Sequence, residues 1–112
     1  IEEIYHLADS YVFPVKKSTN CIELPLSVME AMACNLPVVS TRFGGLAQTF
    51  TEVDGLVFAD NDIGVINELR DLRQDITECN VDVKTREKVL PYSWESVTSH
   101  LEKIYVGAIR NA

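Results

Sequence analysis

Basic side chains are scarce in this sequence: ten lysines and arginines stand against seventeen aspartates and glutamates, a formal charge of −7. That balance excludes the broad positive footprint by which proteins hold nucleic acid. Long apolar runs are missing as well. None approaches the roughly eighteen residues of a membrane-spanning helix, so no transmembrane segment is expected. The three cysteines, Cys21, Cys34 and Cys79, are odd in number and form no C-x-x-C. They read as reduced thiols of a cytoplasmic protein, with Cys34 as plain core in an Ala/Met-rich stretch. The absence of an N-x-[ST] sequon agrees with that compartment. Five glycines include no G-x-G-x-x-G phosphate loop. Ile1 opens the sequence without an initiator Met or a leader, which predicts a piece of a longer chain.

What is present suits one compact domain. A chain of 112 residues buries a real core without a metal or disulfide staple and is too short for two domains. Apolar residues at 46% and charged residues at 24% exclude disorder and low complexity. The acidity is uneven. Residues 1–69 carry three basic side chains (Lys16, Lys17, Arg42) against ten acidic ones, whereas residues 70–112 carry seven of each. An anionic ligand bound to the first part must therefore rely on backbone N–H groups or on another domain.

Hydrophobic periodicity gives the elements. Residues 1–8 have helical spacing, and Ser10 to Val15 is a β-branched and aromatic run closed by Pro14, a buried strand. A polar loop from Lys16 to Ile22 precedes a helix over Leu24 to Asn35. Pro25 lies in its first turn, Asn35 is its cap, and apolar residues lie almost all round it, which predicts burial on most of its surface. Leu36 to Thr41 is the next strand, Arg42 to Gly45 a turn, and Leu46 to Phe50 a short helix. A third strand covers Leu56 to Phe58. One of Asp60, Asn61 or Asp62 caps a helix with Ile63, Ile66, Leu69, Leu72 and Ile76 on its inner face. Residues 77–83 have no readable pattern; Val83 to Val89 is helical and stops before Pro91. Ser93 caps a last helix with Trp94, Val97, Leu101, Ile104, Tyr105 and Ala108 on one face, Trp94 being its core anchor. The alternation predicts an α/β fold, a partial Rossmann-like parallel sheet with flanking helices. Three strands are fewer than a doubly wound domain uses, so an N-terminal portion is expected to be missing.

In such sheets ligands bind beyond the carboxyl ends of the strands. The loop before the second helix leads its free N–H groups and dipole to that rim, an anion site in principle. Glu30, within the first two turns, suits the vicinal hydroxyls of a ribose. Ser27-x-x-Glu30 is equally a capping box that would tie Glu30 to its own backbone. Lys16 and Lys17 sit on the same rim, either solvated or touching an anionic donor. His6 and His100 read as structural or solvent-facing, and Gly44-Gly45 as serving a turn.

The stretch Ile22-Glu23-Leu24-Pro25-Leu26-Ser27-Val28-Met29-Glu30-Ala31-Met32-Ala33-Cys34-Asn35-Leu36-Pro37-Val38-Val39-Ser40-Thr41 resembles the signature of retaining family 4 glycosyltransferases, GT-B enzymes with the active site between two Rossmann-like domains. Ile4 through Pro14, Gly44-Gly45-Leu46, Asp54-Gly55-Leu56-Val57 and Tyr92 through Tyr105 resemble its flanking segments, so the likeness covers nearly the whole chain. It implies that residues 1–112 are the C-terminal part of the donor-binding domain. It implies a nucleotide-diphosphate-sugar donor, a missing N-terminal acceptor domain of the same chain, and no cofactor or metal. Glu30 matches the family's ribose-binding Glu. The first Glu of the family's Glu-x7-Glu falls on Ile22; Glu23, one residue late, takes its place as the contact to the donor sugar. Leu24 and Leu26 inherit a backbone-amide role toward sugar or phosphate, although Pro25 offers no N–H. The resemblance points to retaining glycosyl transfer by the full-length protein, with this piece inactive alone. The alternatives are a non-catalytic nucleotide- or partner-binding module on the same fold, favoured by Ile22, and a nucleotide-sugar epimerase. A cytoplasmic site is expected, at the membrane face if the acceptor is a lipid. The truncated sheet predicts self-association.

Overall fold

A computed structural model describes residues 1–16, 24–52 and 55–111. Helix α1 (Glu2–Leu7) leads into strand β1 (Tyr11–Phe13), α2 (Leu26–Ala33), β2 (Val38–Thr41), the short α3 (Leu46–Thr49) and β3 (Leu56–Ala59). Helix α4 (Asp62–Thr77), α5 (Thr85–Val89), a 3-10 turn (Leu90–Tyr92) and α6 (Trp94–Arg110) complete the chain. The three strands form one parallel sheet in the order β1-β2-β3, with Tyr11 beside Val38 and Val38 beside Leu56. The expected α/β class with a small parallel sheet between helices is what the chain adopts.

Side chains alternate across a strand, and here each face of the sheet has its own cover. Phe13, Val38, Leu56 and Phe58 face one way, into a core shared with Val28, Ala31 and Met32 of α2, Leu46 of α3 and Val89 of α5. Val39 and Ala59 face the other way and pack with Val65 of α4. Strand β2 is central, and all four of its residues are buried, as a strand covered on both faces requires.

Helix α2 ends in a Schellman motif: the Asn35 N–H donates to the Met32 carbonyl and the Leu36 N–H to the Ala31 carbonyl. Asn35 takes the left-handed conformation that this ending needs, with φ 56°. Its side chain has a second task. The amide nitrogen donates to the Val83 carbonyl at 2.9 Å and the amide oxygen accepts from the Arg86 N–H at 3.2 Å. Thr85, fully buried, donates its hydroxyl to the Leu36 carbonyl at 2.7 Å, and the Arg86 guanidinium donates to the Ala33 carbonyl. Val83 and the start of the expected helix that follows it are thus stitched to the end of α2 by polar groups.

The structure revises several expectations. Helix α4 buries Val65, with Leu69 and Leu72 half-buried beside it, while Ile63 and Ile66 of the expected inner face are exposed. Its cap is Asn61, whose side-chain oxygen accepts from the Gly64 N–H at 2.7 Å. Helix α2 is covered on most of its surface as expected, with Leu26 and Glu30 its two exposed residues. Cys34 is the half-buried C-cap of α2 and not a core residue. Trp94 anchors no core: it is 87% exposed, at the start of a helix that buries none of its residues. Ser93 does cap that helix, accepting from the Ser96 N–H at 3.1 Å, and α6 packs chiefly on the 3-10 turn. Its apolar face of Val97, Leu101, Ile104 and Tyr105 is open. Among the described residues no helix is long and apolar enough to cross a membrane.

Candidate functional site

Parallel strands end together, so the loops after β1, β2 and β3 share one rim. Glu23, the expected donor-sugar contact, lies outside the described residues, as do Ile22, Lys17 and Cys21. Half-buried Leu24 and buried Pro25 lead up to α2, with Pro25 as its N-cap, one position before the first-turn place expected for it. Among the described residues no side chain caps this end. The leading N–H groups of α2, Leu26 first among them, have no partner within the helix by virtue of their position. Leu26 itself is 62% exposed.

Glu30 stands one turn further on, exposed, and its partner decides between the two sequence readings. In a capping box Ser27 would be the N-cap and Glu30 would reach back to it. Ser27 is instead the second helical residue, and Glu30 Oε2 accepts a hydrogen bond from the Tyr5 hydroxyl at 2.9 Å. The capping-box alternative is therefore not realised. The Tyr5 oxygen also lies 3.4 Å from the Ser27 carbonyl, and its ring meets that of Tyr11 at 6.0 Å between centroids. Partial burial, then the hydrogen bond to Glu30 and its charge, pushes the Tyr5 phenol up from 10 to about 12. Sequence reasoning missed Tyr5 because nothing in the spacing connects two residues 25 positions apart.

Glu30 also edges a groove of about 400 Å³ between α2 and the α5–α6 junction, where Leu26, Met29, Leu90 and Trp94 supply apolar surface and Arg86 a cation. A second hollow, of about 250 Å³, lies at the strand ends between Lys16, Thr41, Arg42, Phe43 and Asp60. Its cations are already engaged. Lys16 pairs with Asp62 at 2.8 Å, and Arg42 pairs with Asp60, approaches Glu52 at 3.9 Å and lies over the Phe58 ring. Lys16 is thus ion-paired rather than merely solvated. Glu52 in turn accepts the Phe58 N–H at 2.8 Å. Gly44, with φ 51°, serves the turn after β2 as expected, and His6 and His100 are exposed. Among the described residues no group of three His, Cys, Asp or Glu side chains is gathered to hold a metal ion.

The sequence model of the family described as Glycosyl transferases group 1 matches residues 1–75, from α1 through most of α4 and including Glu30. The chain belongs to this glycosyltransferase family. A curated relative, the sulfoquinovosyl transferase SQD2 of Arabidopsis thaliana, is 30% identical over 107 residues, covering 90% of this chain and 20% of the relative. The chain thus spans about a fifth of the length of the curated relative it matches. The family is one of glycosyl transferases, and the α/β sheet of this chain is consistent with a partial Rossmann-like domain of the GT-B kind.

Proposed function

We propose that residues 1–112 are the C-terminal part of the donor-binding domain of a retaining glycosyltransferase and hold a nucleotide-diphosphate sugar. The observation that carries the reading is Glu30: an exposed carboxylate, held by Tyr5, one turn from an uncapped helix N-terminus and on the wall of an apolar groove. A carboxylate accepts hydrogen bonds from both hydroxyls of a ribose, uncapped amides suit phosphate oxygens, and the groove beside Trp94 offers surface for a base. Leu26 gives a backbone amide to the diphosphate, Leu24 lies beside it, and Glu23 contacts the donor sugar. Catalysis would position the donor and stabilise the leaving diphosphate. The relative's name makes a sulfoquinovosyl group its cargo; for this chain the cargo is a glycosyl unit.

Because Lys16 and Arg42, the described cations of the strand-end rim, are already paired with carboxylates, most of the charge that offsets the diphosphate would come from elsewhere in the full-length protein. The piece alone is accordingly inactive, and its open α6 face favours self-association. A cytoplasmic location goes with this reading. The engaged cations also favour a second reading, a partner-binding module without turnover.

Calorimetric titration of the full-length protein with nucleotide-diphosphate sugars decides between them. The expected result is binding, with transfer activity that falls sharply in Glu30→Ala while folding is intact. Absence of nucleotide binding would favour the partner module, and full activity in Glu30→Ala would remove Glu30 from the site.

A further inference from the structure

We infer that Tyr5 is a positioning residue that sets the selectivity of this site for a ribose over a deoxyribose; the inference rests on the reading of Glu30 given above. A glutamate on an exposed helix face has three side-chain torsions to fix before it can meet two hydroxyls at once, and that loss of freedom weakens any ligand it holds. Tyr5 removes much of the loss in advance. Its own ring has only two torsions, is half-buried, and packs on Tyr11 and the core beneath α2. From that fixed place the hydroxyl donates to Glu30 Oε2 at 2.9 Å.

One donated hydrogen bond uses one of about four lone-pair positions on a carboxylate. Among the described residues only Tyr5 bonds to this carboxylate, which leaves Oε1 and the far side of Oε2 for the two hydroxyls of a vicinal diol. A carboxylate fixed in this way accepts both hydroxyls together. A free one would turn to meet whichever hydroxyl was present and so lose less when one is missing. Selectivity comes from a site that cannot adjust, because an acceptor left unmatched is penalised only where it cannot swing back to water.

A purely structural tyrosine would behave differently. The bond to Glu30 lies at the surface, where a single hydrogen bond adds little to folding. A structural defect in Tyr5→Phe would also weaken ribo- and deoxyribonucleotides alike. The ratio between them is the readout that only positioning moves.

The test uses the full-length protein. UDP, ADP and GDP are titrated by calorimetry, and the tightest is then compared with its 2′-deoxy form. The unaltered protein is expected to favour the ribonucleotide by roughly tenfold, the scale of one hydrogen bond to a charged group. In Tyr5→Phe the preference should fall to about threefold or less, with the melting temperature nearly unchanged. In Glu30→Gln, which keeps an acceptor for Tyr5 but loses the charge, adding Tyr5→Phe should change the ratio no further. If Tyr5→Phe proves less stable, measurement at a temperature well below its melting transition keeps the ratio readable. A ratio unchanged in Tyr5→Phe, while Glu30→Gln still abolishes it, would overturn the inference and leave the site intact. If no nucleoside diphosphate binds, the Glu30 reading fails and the inference with it.

Discussion

Two helices of this protein end in the same motif with different residues at the critical position, which allows one substitution to be predicted with opposite signs. Asn35 after α2 and Cys79 after α4 both stand in the left-handed region, with φ of 56° and 55°. In each case that residue's own N–H and the next one close a Schellman motif; for α4, Cys79 donates to Ile76 and Asn80 to Asp75. Cysteine pays about 1–2 kcal/mol for this backbone, and glycine does not. Glycine's greater freedom in the unfolded chain returns about 0.5–1 kcal/mol, so Cys79→Gly should stabilise by about 0.5–1 kcal/mol.

Asn35 reverses the sign. Asparagine tolerates the left-handed region, so the relief is small. Its side chain makes the bonds to the Val83 carbonyl and the Arg86 N–H, each worth about 0.5–1.5 kcal/mol. Both are open to solvent and take the lower part of that range, so Asn35→Gly should cost about 1–2 kcal/mol. At about 4–8 °C per kcal/mol for a domain near this size, the two glycine variants should melt roughly 10 °C apart, on either side of the unaltered chain. Thermal unfolding followed by circular dichroism, with urea titration as a second measure, reads the difference. An Asn35→Gly protein as stable as the parent would refute the claim that this side chain ties residues 83–86 to α2.

Further outcomes follow from single observations. The Tyr5 phenol, raised to about 12 in the folded protein, contributes stability that is complete below pH 10 and lost as pH rises through 12. Tyr5→Phe should flatten that alkaline limb, and a phenol absorbance titration showing every tyrosine ionising near its ordinary value would contradict it. Gly55 has φ 106°, and an added Cβ would lie 3.1 Å from Val83 Cγ1, so Gly55→Ala should destabilise by about 1–3 kcal/mol in urea titration. Trp94, the sole tryptophan and 87% exposed, should give red-shifted emission open to iodide quenching in the dilute 112-residue chain. A shielded, blue-shifted tryptophan would mean that α6 folds back on the sheet.

The sequence by itself determined the class of this protein, because period and punctuation are local. Runs of aliphatic, β-branched and aromatic residues within 10–15, 36–41 and 56–58, separated by amphipathic segments, leave a parallel sheet as the simple solution, and the cap at Ser93 follows from residue type, whereas the choice of Asn61 over Asp60 and Asp62 came from the fold. It also marked Glu30, since an acid in the opening turns of a helix at the strand ends is visible in the chain order. Tertiary structure decided what periodicity cannot carry. Trp94 and the α6 face look like core in any helical projection, yet burial depends on whether another surface arrives, and here none of the described residues covers them. Val65 displaced Ile63 and Ile66 from the inner face of α4 because the direction in which the helix leaves β3 sets its rotation, and apolar residues are spread around much of it. The clamp of Asn35, Thr85 and Arg86, and the bond from Tyr5 to Glu30, join residues 25 to 51 positions apart through polar atoms. Contacts of that kind have no period, and only the folded chain brings their partners together.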